Sequence, residues 1–115
     1  MKSLLIFGGI LLIGAGLLLG QNADGSAQSP RAVLDQYCVT CHNEKTKTAG
    51  LMLDTMDPAR VAQNAEAWEK VVRKLRAGMM PPQGMPRPSA PTYEALTVAL
   101  EDELDRAAEI GRAYV

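Results

Sequence analysis

Both cysteines and the single histidine of this chain lie in one pentapeptide, Cys38-Val39-Thr40-Cys41-His42. The C-x-x-C-H spacing is the attachment motif of c-type haem. Each thiol adds across one vinyl group of the porphyrin to form a thioether, and the adjacent imidazole binds the iron. The motif therefore predicts one covalent haem c, held by Cys38 and Cys41, with His42 as an axial ligand.

Other uses of the same three residues are disfavoured. A structural zinc site usually takes four Cys or His ligands, whereas this chain has three. A thioredoxin-like dithiol needs a βαβ setting, and no strand-rich run surrounds Cys38. A disulfide between Cys38 and Cys41 would close a very small loop and stabilise little. A chance occurrence of the motif is the remaining alternative, which the export signal and the methionine loop described below weaken.

A methionine-containing, proline-rich loop is predicted to supply the second axial ligand. No second histidine exists, so thioether sulfur is the obvious partner, as in His/Met cytochromes. Met80 is the preferred ligand because its segment, Gly78-Met79-Met80-Pro81-Pro82, directly follows a predicted helix, and the two prolines stiffen the loop. Met79 and Met85 are lesser candidates. The alternative is that these methionines only fill the core, as Met52 and Met56 are expected to do.

Residues 1–27 read as a secretory signal peptide. Lys2 precedes an apolar run from Leu4 to Leu19, and Gly25-Ser26-Ala27 offers small residues for cleavage after Ala27. An uncleaved anchor is the alternative, although the run is short for a membrane span. Haem is attached outside the cytoplasmic membrane in bacteria, so we expect an exported protein of the periplasm or cell envelope. The mature domain would comprise residues 28–115.

The mature sequence predicts four helices and no strand. Ser29-Pro30 opens the first helix, which leads into the haem motif, and Asp57-Pro58 opens a second. Glu66 to Ala77 forms a third, with a stop at Gly78. The fourth begins at Ser89 or Thr92 and runs to about Ile110. The fold class is therefore all-α, a small helical fold around one haem.

Charge is balanced overall but unevenly distributed. The net charge of −1 gives no general attraction to nucleic acid. Arg60 to Arg87 is basic and the tail from Ser89 is acidic, which indicates either ordinary solvated helix faces or a basic rim that docks an acidic redox partner. Within this region, Trp68 either packs in the core or approaches the haem edge and a propionate. Further candidates for propionates are Arg73, Lys74 and Arg76.

The pieces that carry a family resemblance are Tyr37–Asn43 (YCVTCHN), Thr48–Asp54 (TAGLMLD), Trp68–Pro82 (WEKVVRKLRAGMMPP), Arg87-Pro88 and Tyr93–Asp105. The order of these pieces is similar to that of a class I cytochrome c. More closely, the chain resembles the planctomycete-type cytochrome c domain, which often stands at the front of large exported proteins of planctomycetes and acidobacteria. The resemblance implies a haem c fold with His42 and Met80 as axial ligands.

Electron transfer is the function that this combination predicts, with no catalytic residues of its own. The relatives usually continue into further domains whereas this chain stops at Val115, so we expect either a free-standing carrier or the front of a longer product. The electron-entry domain of a larger exported oxidoreductase is thus one alternative. Another is a module that binds or senses small ligands, if Met80 does not ligate. The membrane would be contacted only through an uncleaved N-terminal segment.

Overall fold

The computed structural model describes residues 27–115, so the predicted signal run lies outside the described residues. The described part is all-α, as predicted, with three α-helices, two short 3₁₀ turns and no strand. The helices are α1 (Pro30–Tyr37), α2 (Ala65–Arg76) and α3 (Ala90–Ala113), and the 3₁₀ turns are Thr48–Gly50 and Val61–Asn64. None of the helices within 27–115 has the length and apolar character that a membrane crossing requires.

Helix α1 begins at the predicted cap. The hydroxyl of Ser29 accepts a hydrogen bond from the Ala32 amide at 3.2 Å, and proline occupies the first turn, where its missing N–H costs nothing. Val33 and Leu34 are buried. The helix ends at Tyr37, and the Cys38 amide still donates to the Leu34 carbonyl at 2.9 Å. Helix α1 thus leads directly into the haem motif.

The prediction of a separate helix starting at Asp57-Pro58 is wrong. The Asp57 carboxylate does accept from the Ala59 amide at 2.9 Å, as a helix cap would. The backbone of Arg60 then adopts a non-helical conformation, with φ −131° and ψ 49°. The hydrogen bonds to Asp57 therefore close one turn of chain, and no helix continues from it. Val61, the first residue of the next 3₁₀ turn, is 2% exposed, so the turn packs this side chain into the core. Burial of this side chain outweighs the local capping signal.

Helix α2 ends in the predicted left-handed stop. Gly78 has φ +66°, which residues other than glycine adopt at a cost. Its amide donates to the Leu75 carbonyl at 2.9 Å, and the Met79 amide donates to the Lys74 carbonyl at 3.0 Å. These are the paired hydrogen bonds of a Schellman motif. The motif turns the chain sharply, so the methionine loop starts at a fixed point beside α2.

Helix α3 closes the fold by packing against α2, α1 and the Val61–Asn64 turn. It begins after Ser89, whose hydroxyl accepts from the Thr92 amide at 3.4 Å. It runs to Ala113, three residues beyond the predicted end at Ile110. The buried core that joins the three helices consists of Val33, Leu34, Leu53, Met56, Val61, Trp68, Leu75, Leu96 and Leu100.

Candidate cofactor site

One cavity brings together all four residues that the sequence predicts as haem attachment points or ligands. It has a volume of about 630 Å³, and its lining includes Cys38, Cys41, His42 and Met80. Pockets for small molecules and cofactors typically measure about 300–1,000 Å³. The size and position of this cavity therefore suit a bound cofactor that touches every predicted ligand.

The walls of the cavity are mainly apolar. Helix α1 supplies Leu34 and α2 supplies Val71 and Leu75. Leu51 and Leu53, from the segment after the first 3₁₀ turn, form another wall. Such a lining excludes water and complements a flat apolar ring system. Pro81, Pro82 and Pro86 of the methionine loop complete the enclosure.

The two cysteines are free thiols presented on one turn. The Cys38 carbonyl accepts from the Cys41 amide at 3.2 Å and from the His42 amide at 2.9 Å. Burial raises the pKa of the Cys38 thiol to about 11, although the charge of Arg31 acts in the opposite direction. The Cys38 thiol is therefore protonated at neutral pH, whereas Cys41 lies on the more exposed side of the turn.

The imidazole of His42 is held in the orientation that a metal ligand needs. Its Nδ1 lies 2.9 Å from the Thr48 carbonyl oxygen. A carbonyl oxygen only accepts hydrogen bonds, so the proton belongs on Nδ1 and the lone pair belongs on Nε2. Metal-binding histidines are commonly oriented by such a second bond. The arrangement leaves the Nε2 lone pair free of this contact, as a metal-binding histidine requires.

The turn that carries the Thr48 carbonyl has an unusual backbone. Lys47 and Ala49 have φ +49° and +55°, and Gly50 follows at +70°. Left-handed backbone at residues other than glycine costs on the order of 1–3 kcal/mol and concentrates at functional sites. The Leu53 amide also donates to the His42 carbonyl at 2.9 Å. The segment from 47 to 53 thus holds His42 through both its side chain and its backbone.

The three candidate methionines of the loop are not equivalent. Met80 is partly buried and lines the cavity. Met85 also lines it but is 47% exposed. Met79 is 53% exposed, lies outside the lining, and has its sulfur 3.8 Å from the Lys74 ammonium. The structure therefore positions Met80 and Met85, but not Met79, beside the cavity.

The predicted contacts of Trp68 and the basic residues are only partly reproduced. Trp68 is fully buried in the core and does not line the cavity, so it packs as the simpler prediction had it. Its indole N–H has no hydrogen-bond partner among residues 27–115. Arg73 and Arg76 also lie outside the lining. The Arg73 guanidinium pairs with Glu69, and the Arg76 guanidinium pairs with Glu94 and Glu101. Lys74 does line the cavity, and so does Lys70, which the sequence analysis did not single out.

The donor set and the cavity fit haem c. Two thiols, one imidazole with an available Nε2 and one thioether sulfur surround an apolar space. These are the groups through which c-type haem is attached and ligated. The backbone carbonyl of Thr48, which orients His42, leaves no signature in the sequence, since every residue has a carbonyl.

Comparison with known proteins agrees with this assignment. Residues 38–84 match the family model of planctomycete cytochrome C. The match confirms the resemblance drawn from the sequence, and it spans Cys38, Cys41, His42 and Met80. Neither the curated proteins nor the solved structures gave a match.

Proposed function

We propose that this planctomycete-type cytochrome c domain transfers electrons through a single covalently attached haem in the cell envelope. The observation that carries the proposal is the 2.9 Å contact from His42 Nδ1 to the Thr48 carbonyl, made beside the same cavity that Cys38 and Cys41 line. An imidazole and two free thiols that line one apolar cavity, with the imidazole held through Nδ1, are the groups that attach and ligate c-type haem.

Each residue of the site has a distinct task. Cys38 and Cys41 would hold the cofactor covalently at the turn that follows α1. His42 presents Nε2 because the Thr48 carbonyl holds its other nitrogen. When bound, haem c supplies one-electron oxidation and reduction of its iron, and methionine ligation with apolar surroundings raises its potential. The leucines and valines of the cavity wall keep water away.

Met80 is the proposed second axial ligand, in preference to Met85. Its side chain is the less exposed of the two cavity-lining methionines of the loop. It lies two residues after Gly78, the stop of α2, and two prolines follow it, so its backbone has little freedom. The family match also ends at Gly84, which places Met80 inside the matched segment and Met85 outside it.

The mouth of the cavity is the proposed docking face for a redox partner. Lys70 and Lys74 line the cavity on α2, and the exposed Met79 and Met85 lie on the loop beside them. These residues belong to the basic region Arg60–Arg87, which would attract an acidic partner and raise the encounter rate. An apolar centre surrounded by a polar, solvent-accessible rim is the usual anatomy of a protein–protein interface.

Export to the periplasm or cell envelope completes the proposal. The predicted signal segment, residues 1–27, would direct the chain to the compartment in which bacterial haem attachment takes place. N-terminal sequencing of protein recovered from the envelope fraction should then begin near Gln28. Recovery of intact Met1 in the membrane fraction would instead support an uncleaved anchor.

Covalent attachment is the most direct test of the proposed function. Protein produced with haem-maturation machinery should keep its haem after denaturation and acid–organic extraction, with a mass increase of one haem. The double variant Cys38→Ala, Cys41→Ala should release all haem or bind none. Thr40→Ala, within the same motif, is the matched control and should behave as the unmodified protein. Complete extraction of haem from the unmodified protein would refute the proposal.

A further inference from the structure

The methionine loop is held in place by two side chains that lie beyond it in the sequence. One guanidinium nitrogen of Arg87, Nη1, donates to the Pro81 carbonyl, and the other, Nη2, lies 3.4 Å from the Gly78 carbonyl and 3.5 Å from that of Met80. A single cation thus lies beside three backbone carbonyls within residues 78–81. Hydrogen bonds from a charged donor are stronger than those between neutral groups.

Tyr93, in the first turns of α3, faces the same backbone. Its hydroxyl oxygen lies 2.7 Å from the Met80 carbonyl and 2.8 Å from the Leu75 carbonyl, and its one proton is shared between them. The Arg87 guanidinium lies over the Tyr93 ring, 5.3 Å from its centroid, at the distance of a cation–π contact. Arg87 and Tyr93 therefore form one unit, which we call the loop clamp.

The loop needs such external support because of its own sequence. Pro81 and Pro82 have no backbone N–H, so this segment cannot form a regular hydrogen-bonding pattern. Within the loop, the Met85 amide donates to the Pro82 carbonyl at 3.1 Å. The Met80 and Pro81 carbonyls instead accept hydrogen bonds from the clamp, from Tyr93 and Arg87 respectively. The position of the Met80 backbone thus depends on α3 and on Arg87.

We propose that Arg87 and Tyr93 are positioning residues that set how long the Met80 sulfur stays at the iron. The inference rests on the proposed function, since it takes Met80 as the axial ligand. Thioether sulfur is a weak ligand, so an external ligand replaces it whenever the loop moves away. The clamp opposes that movement, because opening the loop exchanges its hydrogen bonds for hydrogen bonds to water and gives up their net stabilisation.

The test adds imidazole to the ferric holoprotein and measures how fast it displaces the Met80 sulfur from the iron. The displacement is monitored as the loss of the weak charge-transfer band of methionine-ligated haem. At saturating imidazole, the rate reports loop opening. Arg87→Gln should raise that rate about tenfold or more, and Tyr93→Phe, which removes only the hydroxyl, about fivefold. Arg87→Lys, which keeps the positive charge, should raise the rate less than Arg87→Gln does. Arg73→Gln, on the exposed face of α2, should match the unmodified protein.

A second control separates positioning from general stability. Val61→Ala removes buried core volume outside the cavity lining and lowers the stability of the whole domain. If it accelerates imidazole binding as much as Arg87→Gln does at equal loss of stability, the clamp has no specific role and the inference is wrong. Unchanged rates in Arg87→Gln and Tyr93→Phe, with the methionine band present in the unmodified protein, would also overturn the clamp alone. Absence of that band from the unmodified protein would overturn both the clamp and the ligation of Met80.

Discussion

The two sides of the cavity hold their proposed ligands by different means. On the histidine side, the contacts are local: Nδ1 of His42 meets the Thr48 carbonyl, and the Leu53 amide meets the His42 carbonyl. On the methionine side, the Met80 carbonyl meets Tyr93, which belongs to α3. One ligand is thus oriented by the chain just after it, and the other by an element that must first dock.

This difference indicates that the two ligands depend unequally on the packed fold. The histidine side is built from one continuous segment that covalent attachment would also constrain. The methionine side depends on α3, whose Leu96 and Leu100 are buried in the shared core. Loss of tertiary packing should therefore release the methionine before the histidine, as expected for segments of low local stability.

The largest expected effect is the loss of the methionine ligand itself. Met80→Ala should abolish the charge-transfer band of the ferric protein and open the sixth position. The reduction potential should fall by on the order of 0.1 V, within the span of about 0.8 V that axial ligands cover. Absorption spectra and a redox titration measure both quantities. The histidine side should remain intact, so haem should stay attached.

Met85→Ala is the matched control for that experiment. Met85 lines the same cavity and lies in the same loop, but it is 47% exposed. The band and the potential should therefore be retained. If Met85→Ala removes the band and Met80→Ala keeps it, the ligand assignment within the loop is wrong.

A pair of glycines allows the two sides to be weakened equally. Gly50 and Gly78 both have positive φ, +70° and +66°, and a Cβ at either position would meet no atom within 4 Å. Alanine at either position should thus lower the free energy of unfolding by about 1–2 kcal/mol through backbone strain alone. Gly78→Ala should also weaken the methionine band, whereas Gly50→Ala should leave it unchanged. Chemical denaturation and ferric spectra of the same samples would show whether this asymmetry exists.

The smallest expected effect concerns the ion pairs between α2 and α3. Arg76 lies 2.9 Å from a Glu94 oxygen and 2.6 Å from a Glu101 oxygen, at a partly exposed surface. Hydrogen bonding to Arg76 lowers the pKa of Glu101, so the stabilisation is present above the ordinary glutamate pKa and is lost as pH falls through the lowered value. Arg76→Ala should lower Tm at neutral pH by at most about 5 °C.

Acid should reduce the difference in Tm between Arg76→Ala and the unmodified protein, because protonated Glu101 no longer pairs with Arg76. High salt should reduce it at neutral pH as well, since the pair is partly exposed. Thermal melts of both proteins across the acid range measure the effect. A difference that grows as pH falls would contradict the assignment of the stabilisation to these pairs.

Local signals in the sequence predicted much of this fold. Ser29 and Ser89 cap α1 and α3, and Gly78 ends α2, because these residues act within one turn of their own backbone. The haem motif was recognisable for the same reason, since its chemistry requires a fixed short spacing. The cavity brings these predicted residues together with Met80.

The features that the sequence did not predict depend on packing at a distance. Asp57 has the signal for a helix start, but the burial of Val61 redirects the chain into a 3₁₀ turn. The contacts of Arg87 and Tyr93 are made to backbone carbonyls, which every residue carries, so no pattern of side chains identifies them. The sequence makes Arg76 a candidate for pairing with a propionate, but its guanidinium pairs with Glu94 and Glu101 of α3, which are distant in the sequence.

The central claim, that His42 and Met80 close both axial positions of an electron-carrying haem, is tested most directly by one measurement. This is the absorption spectrum of the intact holoprotein in the ferric and ferrous states, with and without carbon monoxide. The account predicts a low-spin, six-coordinate iron in both states, the methionine charge-transfer band in the ferric state, and no immediate change on adding carbon monoxide. A high-spin ferrous iron that binds carbon monoxide at once would contradict it and indicate a module that binds small ligands instead.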